Sequence, residues 1–242
     1  MVAAAPGPLY ALFSLGGARR AGFNDGPPEF PYHILAPGDD IGSVGLEGTD
    51  EAQLVDGLQR LPHSSRDALI AEALLHWRYQ AMRGLPLFVV RGETDHAGAL
   101  PALGKGVAYR NFLTALDNLV AAAARLGKPA KVVAVGLDYG LEDQASDPAA
   151  FAAGLRALMA QIERDMAARR LHRPIFALTA EAGTHRITRH PAMLAHWELA
   201  WSPGGHDLVV AAAGYMSEQT EFGRPTAAAR LRMAEMAAHA IA

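Results

Sequence analysis

The chain contains no cysteine, which excludes disulfide cross-links, thiolate nucleophiles and cysteine-bound metals. Long hydrophobic runs are missing too: no stretch approaches the roughly 18 apolar residues that span a bilayer. Nor does charge of one sign dominate. Lys and Arg number 22 against 25 Asp and Glu, interspersed, for a formal charge of −3. That balance gives no electrostatic basis for a nucleic-acid or membrane-surface partner. The apolar start, Met1–Gly17, has no Lys or Arg ahead of it and is broken by Pro6 and Pro8. It is therefore expected to be a first core strand rather than a signal peptide, in a protein made in the cytoplasm.

What is present is a chain of 242 residues, half of them hydrophobic, enough for one α/β domain over residues 1–242 with an ample core. Near-continuous apolar runs at Leu9–Leu15, Leu87–Val90, Lys131–Val135, Ile175–Thr179 and Asp207–Ala212 have the character of strands buried on both faces. Helical patterns alternate with them at Ser65–Met82, Tyr109–Leu126, Pro148–Arg169, Pro191–Trp201 and Thr226–Ile241. Asp147-Pro148 provides a capping side chain before a proline at the first helical position, and Gly84 and Gly127 are expected helix stops. Five β–α units in succession predict a three-layer α/β/α sandwich around a five-stranded parallel sheet, of the doubly wound, flavodoxin-like kind. Ligands of such sheets bind beyond the carboxyl ends of the strands. The proline- and glycine-rich stretch Phe23–Pro62 lacks periodicity and is expected to be an insertion or lid. It carries Asp25, Tyr32, His33, Asp39, Asp40 and Glu47, which suit sugar hydroxyls.

Residues Leu12–Gly26, LFSLGGARRAGFNDG, resemble the first block of the SGNH-hydrolase superfamily in its carbohydrate-esterase and sialate O-acetylesterase branch. In that branch the block reads φφxxGQSNAxGxxDG after the first strand. Gly16 and Gly22 fall on the family's glycines, but Ala18 falls on the nucleophilic serine and Arg19 on the asparagine. At the other end, Glu221-Phe222-Gly223-Arg224 occupies the place of the family's DxxH, with Glu221 for the orienting acid and Arg224 for the catalytic histidine. The glycine block corresponds to Arg91-Gly92-Glu93-Thr94-Asp95, and the QGExD block to Val135-Gly136-Leu137-Asp138-Tyr139. A competing alignment makes Gly92-Glu93-Thr94-Asp95 the latter block. On either, no catalytic set survives. Alanine has no nucleophilic atom, and a guanidinium stays protonated at any working pH. Losing nucleophile or base from a triad costs on the order of 10⁶ in turnover.

The resemblance thus implies a pseudoenzyme with no cofactor and no metal, whose crevice binds carbohydrate. The candidate ligand-binding residues are Arg19, Arg20, Gly92, Glu93, Asp95, His96, Asp138 and Arg224. A glycan binder without an export signal fits a phage-like particle, assembled in the cytoplasm and released by lysis. There it would serve as a receptor-binding spike or fibre component facing surface polysaccharide and other particle subunits. The alternatives are a structural assembly module without a ligand, or a hydrolase of acetylated glycans using Asp95, His96 or Asp138. Ser14 is expected to be packed within the sheet, His185, His190 and His196 to lie on the surface, and Trp77, Trp197 and Trp201 to serve the core.

Overall fold

The computed structural model describes residues 4–17, 22–46, 50–94, 104–139, 147–180, 191–220 and 224–242. The strongest apolar run, Leu9–Gly16, forms β1 at the centre of the sheet. On one side it pairs in parallel with β7 (Leu87–Thr94), and on the other with β8 (Ala130–Asp138). Beyond β8 follow β9 (Ile175–Ala180) and the outermost strand β10 (Leu208–Ala213), both parallel. These five strands stand in the spatial order second, first, third, fourth, fifth, so the winding reverses between β1 and β8. In doubly wound sheets that reversal opens the ligand crevice.

The expected five strands are, however, too few. The sheet has eight, because the proline- and glycine-rich stretch is part of it rather than an insertion over it. β3 (Ile34–Pro37) pairs in parallel with the start of β7, and β5 (Leu58–Arg60) closes that edge antiparallel to β3. The chain departs from β7 at residue 38, turns through Asp40 (φ 65°) and Gly42 (φ 85°), and rejoins it as β4 (Val44–Leu46). A separate ribbon joins β2 (Phe23–Asn24) to β6 (Ser64–Ser65). Strands of two to four residues broken by Pro and Gly produce no readable period, which is why the sequence pattern conceals them.

Helices cover both faces. α1 (Arg66–Gln80) and α5 (Ala227–Ile241) pack together over Leu12, Phe88 and Val90. On the other face α2 (Val107–Arg125), α3 (Pro148–Ala168) and α4 (Pro191–Trp201) cover Leu9, Phe13, Val89 and Phe176. Phe151, Leu155, Met159, Ile162 and Met166 form the buried stripe of α3, at the three-to-four spacing of an amphipathic helix. Side chains of Ser65, Asp147 and Thr226 accept from the backbone N–H three residues on and cap α1, α3 and α5. Gly127 follows α2 at φ 64°, as expected, whereas after α1 the left-handed position falls on Met82 (φ 53°) instead of Gly84. Among the described residues, no helix is long and apolar enough to cross a membrane.

Two tryptophans expected in the core are not there. Trp197 is 42% and Trp201 89% exposed on α4, while Trp77 is half-buried against the His239 ring, 4.3 Å between centroids. Conversely His196, expected at the surface, is fully buried and meets Phe151 edge-on. His185 and His190 lie outside the described residues.

Gly45 in β4 lies directly over the Glu93 carboxylate. A Cβ there would come within 2.8 Å of Glu93 Cδ, and that carboxylate is held from both sides by Arg91 and Asn111. Gly45→Ala is expected to destabilise the protein by about 1–3 kcal/mol, the usual cost of overpacking a filled site. Urea unfolding of the two proteins checks this, and an unchanged midpoint would show that the carboxylate yields freely.

Candidate functional site

The winding reversal places the carboxyl ends of β1 and β8 side by side, and Gly17 N–H donates to the Asp138 carbonyl at 3.2 Å. On the α1 side of the sheet, Leu12 and Ser14 of β1 and Ala134, Gly136 and Asp138 of β8 point toward the first turn of α1. There Ser14 donates to Asp67 Oδ2 at 2.6 Å, and Arg66 pairs with Asp138 Oδ2 at 2.7 Å while also bonding the Thr179 hydroxyl. All five side chains are buried. Ser14 therefore is packed, as expected, but onto a helix carboxylate rather than within the sheet. Under this cluster lies a cavity of about 20 Å³, bounded by Arg66, Asp67, Asp138, Thr179, Ile70 and Ala237. It has room for about one water and no larger guest.

On the opposite face, Arg91 and Glu93 alternate along β7 and so point the same way, toward α2. Arg91 Nε donates to Glu93 Oε1 at 2.6 Å, and its Nη1 to Asp39 Oδ1 (3.1 Å) and the Gly42 carbonyl (2.9 Å). The guanidinium thereby ties down the excursion between β3 and β4. Asn111 of α2 donates to Glu93 Oε2 at 3.3 Å. Arg91 and Glu93 are each 1% exposed. One cation faces two carboxylates, and Arg91 Nη2 and Asp39 Oδ2 have no hydrogen-bond partner among the described residues. Burial consequently pushes the Glu93 carboxyl above its ordinary range, against the opposing pull of Arg91 and Asn111.

The same face of α2 holds the chain that follows β4. Asn111 accepts from Ala52 N–H and donates to the Asp50 carbonyl; seven residues on, Asn118 accepts from Val55 N–H and donates to the Gln53 carbonyl. Two helix turns thus satisfy an extended segment that pairs with no strand.

Of the residues expected to form the crevice, Gly92 and Glu93 are buried inside β7, and Asp138 is buried against Arg66. Arg224 is exposed, and its carbonyl accepts from Thr220 N–H at 2.7 Å beside an antiparallel bridge between Gln219 and Pro225. Ala18, Arg19, Arg20, Asp95, His96 and Glu221 lie outside the described residues. The two ends of the sequence do meet: Arg230 of α5 donates to the Phe23 carbonyl at 2.7 Å and to Asn24 Oδ1 at 2.8 Å. Sequence reasoning missed Arg66, Asp67, Thr179 and the role of Arg91. The signal available was the charged pair Arg66-Asp67 opening an apolar helix, and the alternation of Arg91 with Glu93 in an otherwise apolar strand.

Three of the described histidines bond within the protein, while His63, exposed just before β6, lies 6.3 Å from the Phe23 ring. His33 bonds the Pro86 carbonyl, His76 pairs with Glu29 and His206 with Glu163. No group of three or more His, Cys, Asp or Glu side chains there could hold a metal ion.

No family model matches this chain, and no curated protein does. Among solved structures, it aligns with a protein from Arabidopsis thaliana determined by X-ray crystallography at 1.6 Å. The alignment covers 97% of this chain and 98% of that one, with a TM-score of 0.59 and 10% identity. A second solved structure aligns over 96% of this chain and 95% of its own at a TM-score of 0.42 and 12% identity. The first likeness is one of fold: a mixed α/β architecture with a mostly parallel central sheet.

The Glu93 carboxyl, raised in the folded state, gives a pH dependence of defined sign. A raised value means the folded protein holds the proton more tightly, so its contribution is complete below the unfolded value and is lost as pH rises through the folded one. Glu93→Gln leaves Arg91 with one carboxylate and removes that loss. The stability of the native protein is expected to fall relative to the variant as pH rises above the ordinary carboxylate range. A gap in urea midpoints that does not change with pH would contradict this.

Proposed function

We propose that the protein is a non-catalytic, SGNH-like three-layer α/β/α protein that binds carbohydrate. The observation carrying this is the state of the first strand's end. The block that resembles the family's nucleophile motif has Ala18 for serine, and the nearby hydroxyl, Ser14, is buried and committed to Asp67. A hydroxyl that donates to a helix-bound carboxylate inside the core has no access to an acyl carbonyl, and Arg224 in the base position cannot accept its proton. What remains is an α/β frame whose exposed surface carries arginines, carboxylates and tyrosine, the groups that hold sugar hydroxyls and ring faces. Surface polysaccharide is the proposed ligand class. Display as a receptor-binding spike or fibre component of a phage-like particle is the proposed setting, where many copies compensate for weak single-site affinity.

A structural assembly module is the second reading. It is favoured by the exposed stripe Leu194, Trp197 and Trp201, spaced three and four residues apart on one face of α4.

The protein is expected to show no turnover of p-nitrophenyl acetate or acetylated sugars above a heat-inactivated control. Hydrolysis that follows the purified protein, and that disappears on a point change at the carboxyl edge of the sheet, would refute the non-catalytic reading.

A further inference from the structure

We propose an acidic-saccharide site at the amino edge of the sheet, opposite to the edge where the family resemblance puts the crevice. The inference rests on the carbohydrate-binding reading above and says where, and for what chemistry, that binding occurs. A cleft of about 440 Å³ opens between the outer strands β3 and β5 and the last turn of α2. That volume falls within the roughly 300–1,000 Å³ of small-molecule sites. The register fixes its position. Ile34 lies beside Phe88 near the start of β7, so Tyr32 precedes the sheet, and Arg60 stands opposite Leu35. α2 runs against the strands and delivers Arg125 to the same end.

The walls have the chemistry of a pyranose carrying a carboxylate. Leu35, Leu58 and Leu126 make an apolar floor. Tyr32 is 54% exposed, and the Arg60 guanidinium lies 5.5 Å from its ring centroid, a cation–π arrangement that orders both groups. No described carboxylate pairs with Arg60, so its fork is available for a bidentate contact with an acid. Arg125 and Asp56 form a solvent-exposed pair at 3.0 Å, weak enough for a ligand to exchange. Arg125 can then take a second acid oxygen while Asp56 accepts from a hydroxyl. Two guanidiniums against one carboxylate leave the cleft positive on a chain whose formal charge is −3, which selects a uronic-acid unit over a neutral hexose.

Titration calorimetry of the intact protein with trigalacturonate and with maltotriose tests this. Variants Arg60→Gln and Tyr32→Leu are compared with Arg110→Gln, which removes an equal charge from the exposed side of α2, and with Arg224→Ala at the other edge. The expected result is binding of trigalacturonate in preference to maltotriose, weakened roughly tenfold or more by Arg60→Gln or Tyr32→Leu and unaffected by Arg110→Gln. Equal binding of the two sugars would overturn the acid specificity. Binding that survives both cleft variants but is lost in Arg224→Ala would overturn the location while keeping the carbohydrate reading. Failure to bind trigalacturonate, alongside capture of a neutral surface polysaccharide on a glycan array, would overturn this site alone. No binding to any saccharide on the array would overturn the carbohydrate reading with it.

Discussion

Removing a guanidinium from water costs several kcal/mol unless carboxylates meet it, and this sheet buries one on each face. Arg66, at the start of α1, is matched by Asp138 at the end of β8. Arg91, within β7, is matched by Glu93 and Asp39. The pairs Arg66–Asp138 and Arg91–Asp39 join elements that are distant in sequence, and each depends on one alignment of helix or loop against the sheet. Slide α1 by one residue and Arg66 loses both Asp138 and Thr179. Open the turn at Asp40 and Gly42, and Arg91 is left against Glu93 alone. Hydrophobic packing supplies most of the stability, but it tolerates small shifts in register; these charge pairs do not.

The pairing of Arg66 with Asp138 occupies part of the carboxyl edge of the sheet. In a doubly wound fold that edge is where ligands react, and catalysis there needs groups that are accessible and held apart until substrate arrives. Here Ser14, Asp67, Arg66, Asp138 and Thr179 already satisfy one another around a space the size of a water molecule. At the other end, Tyr32, Arg60, Asp56 and Arg125 frame an open cleft in which polar groups reach solvent beside an aromatic ring. This contrast supports the binding reading proposed above over an esterase.

Much of the frame was legible in the sequence. The apolar runs beginning at Leu9, Leu87, Lys131, Ile175 and Asp207 correspond to β1, β7, β8, β9 and β10, because strands buried on both faces must be continuously apolar. β3, β4 and β5 were hidden: a strand of three or four residues at a sheet edge, interrupted by Pro37 and Gly45, obeys no period. The candidate site was less readable. Whether Asp138 faces solvent or Arg66, 72 residues away, depends on a contact that no local pattern encodes. The alternation of Arg91 with Glu93 did carry information, since two opposite charges on one face of an apolar strand must neutralise each other. Tyr32 and Arg60 came together only because β5 returns antiparallel along β3.

The central claim is that the buried pair Arg66–Asp138 at the carboxyl edge holds the fold. A thermodynamic cycle on Arg66→Met and Asp138→Leu, singly and combined, measured by urea unfolding, addresses it most directly. Each single change is expected to cost about 3–5 kcal/mol, because it strands a buried charge. The combined variant is expected to lose less than the sum, with a coupling on the order of 2 kcal/mol. Single variants as stable as the native protein or more so, with no coupling between them, would mean that Arg66 and Asp138 are retained for function at the expense of stability, and would contradict the account.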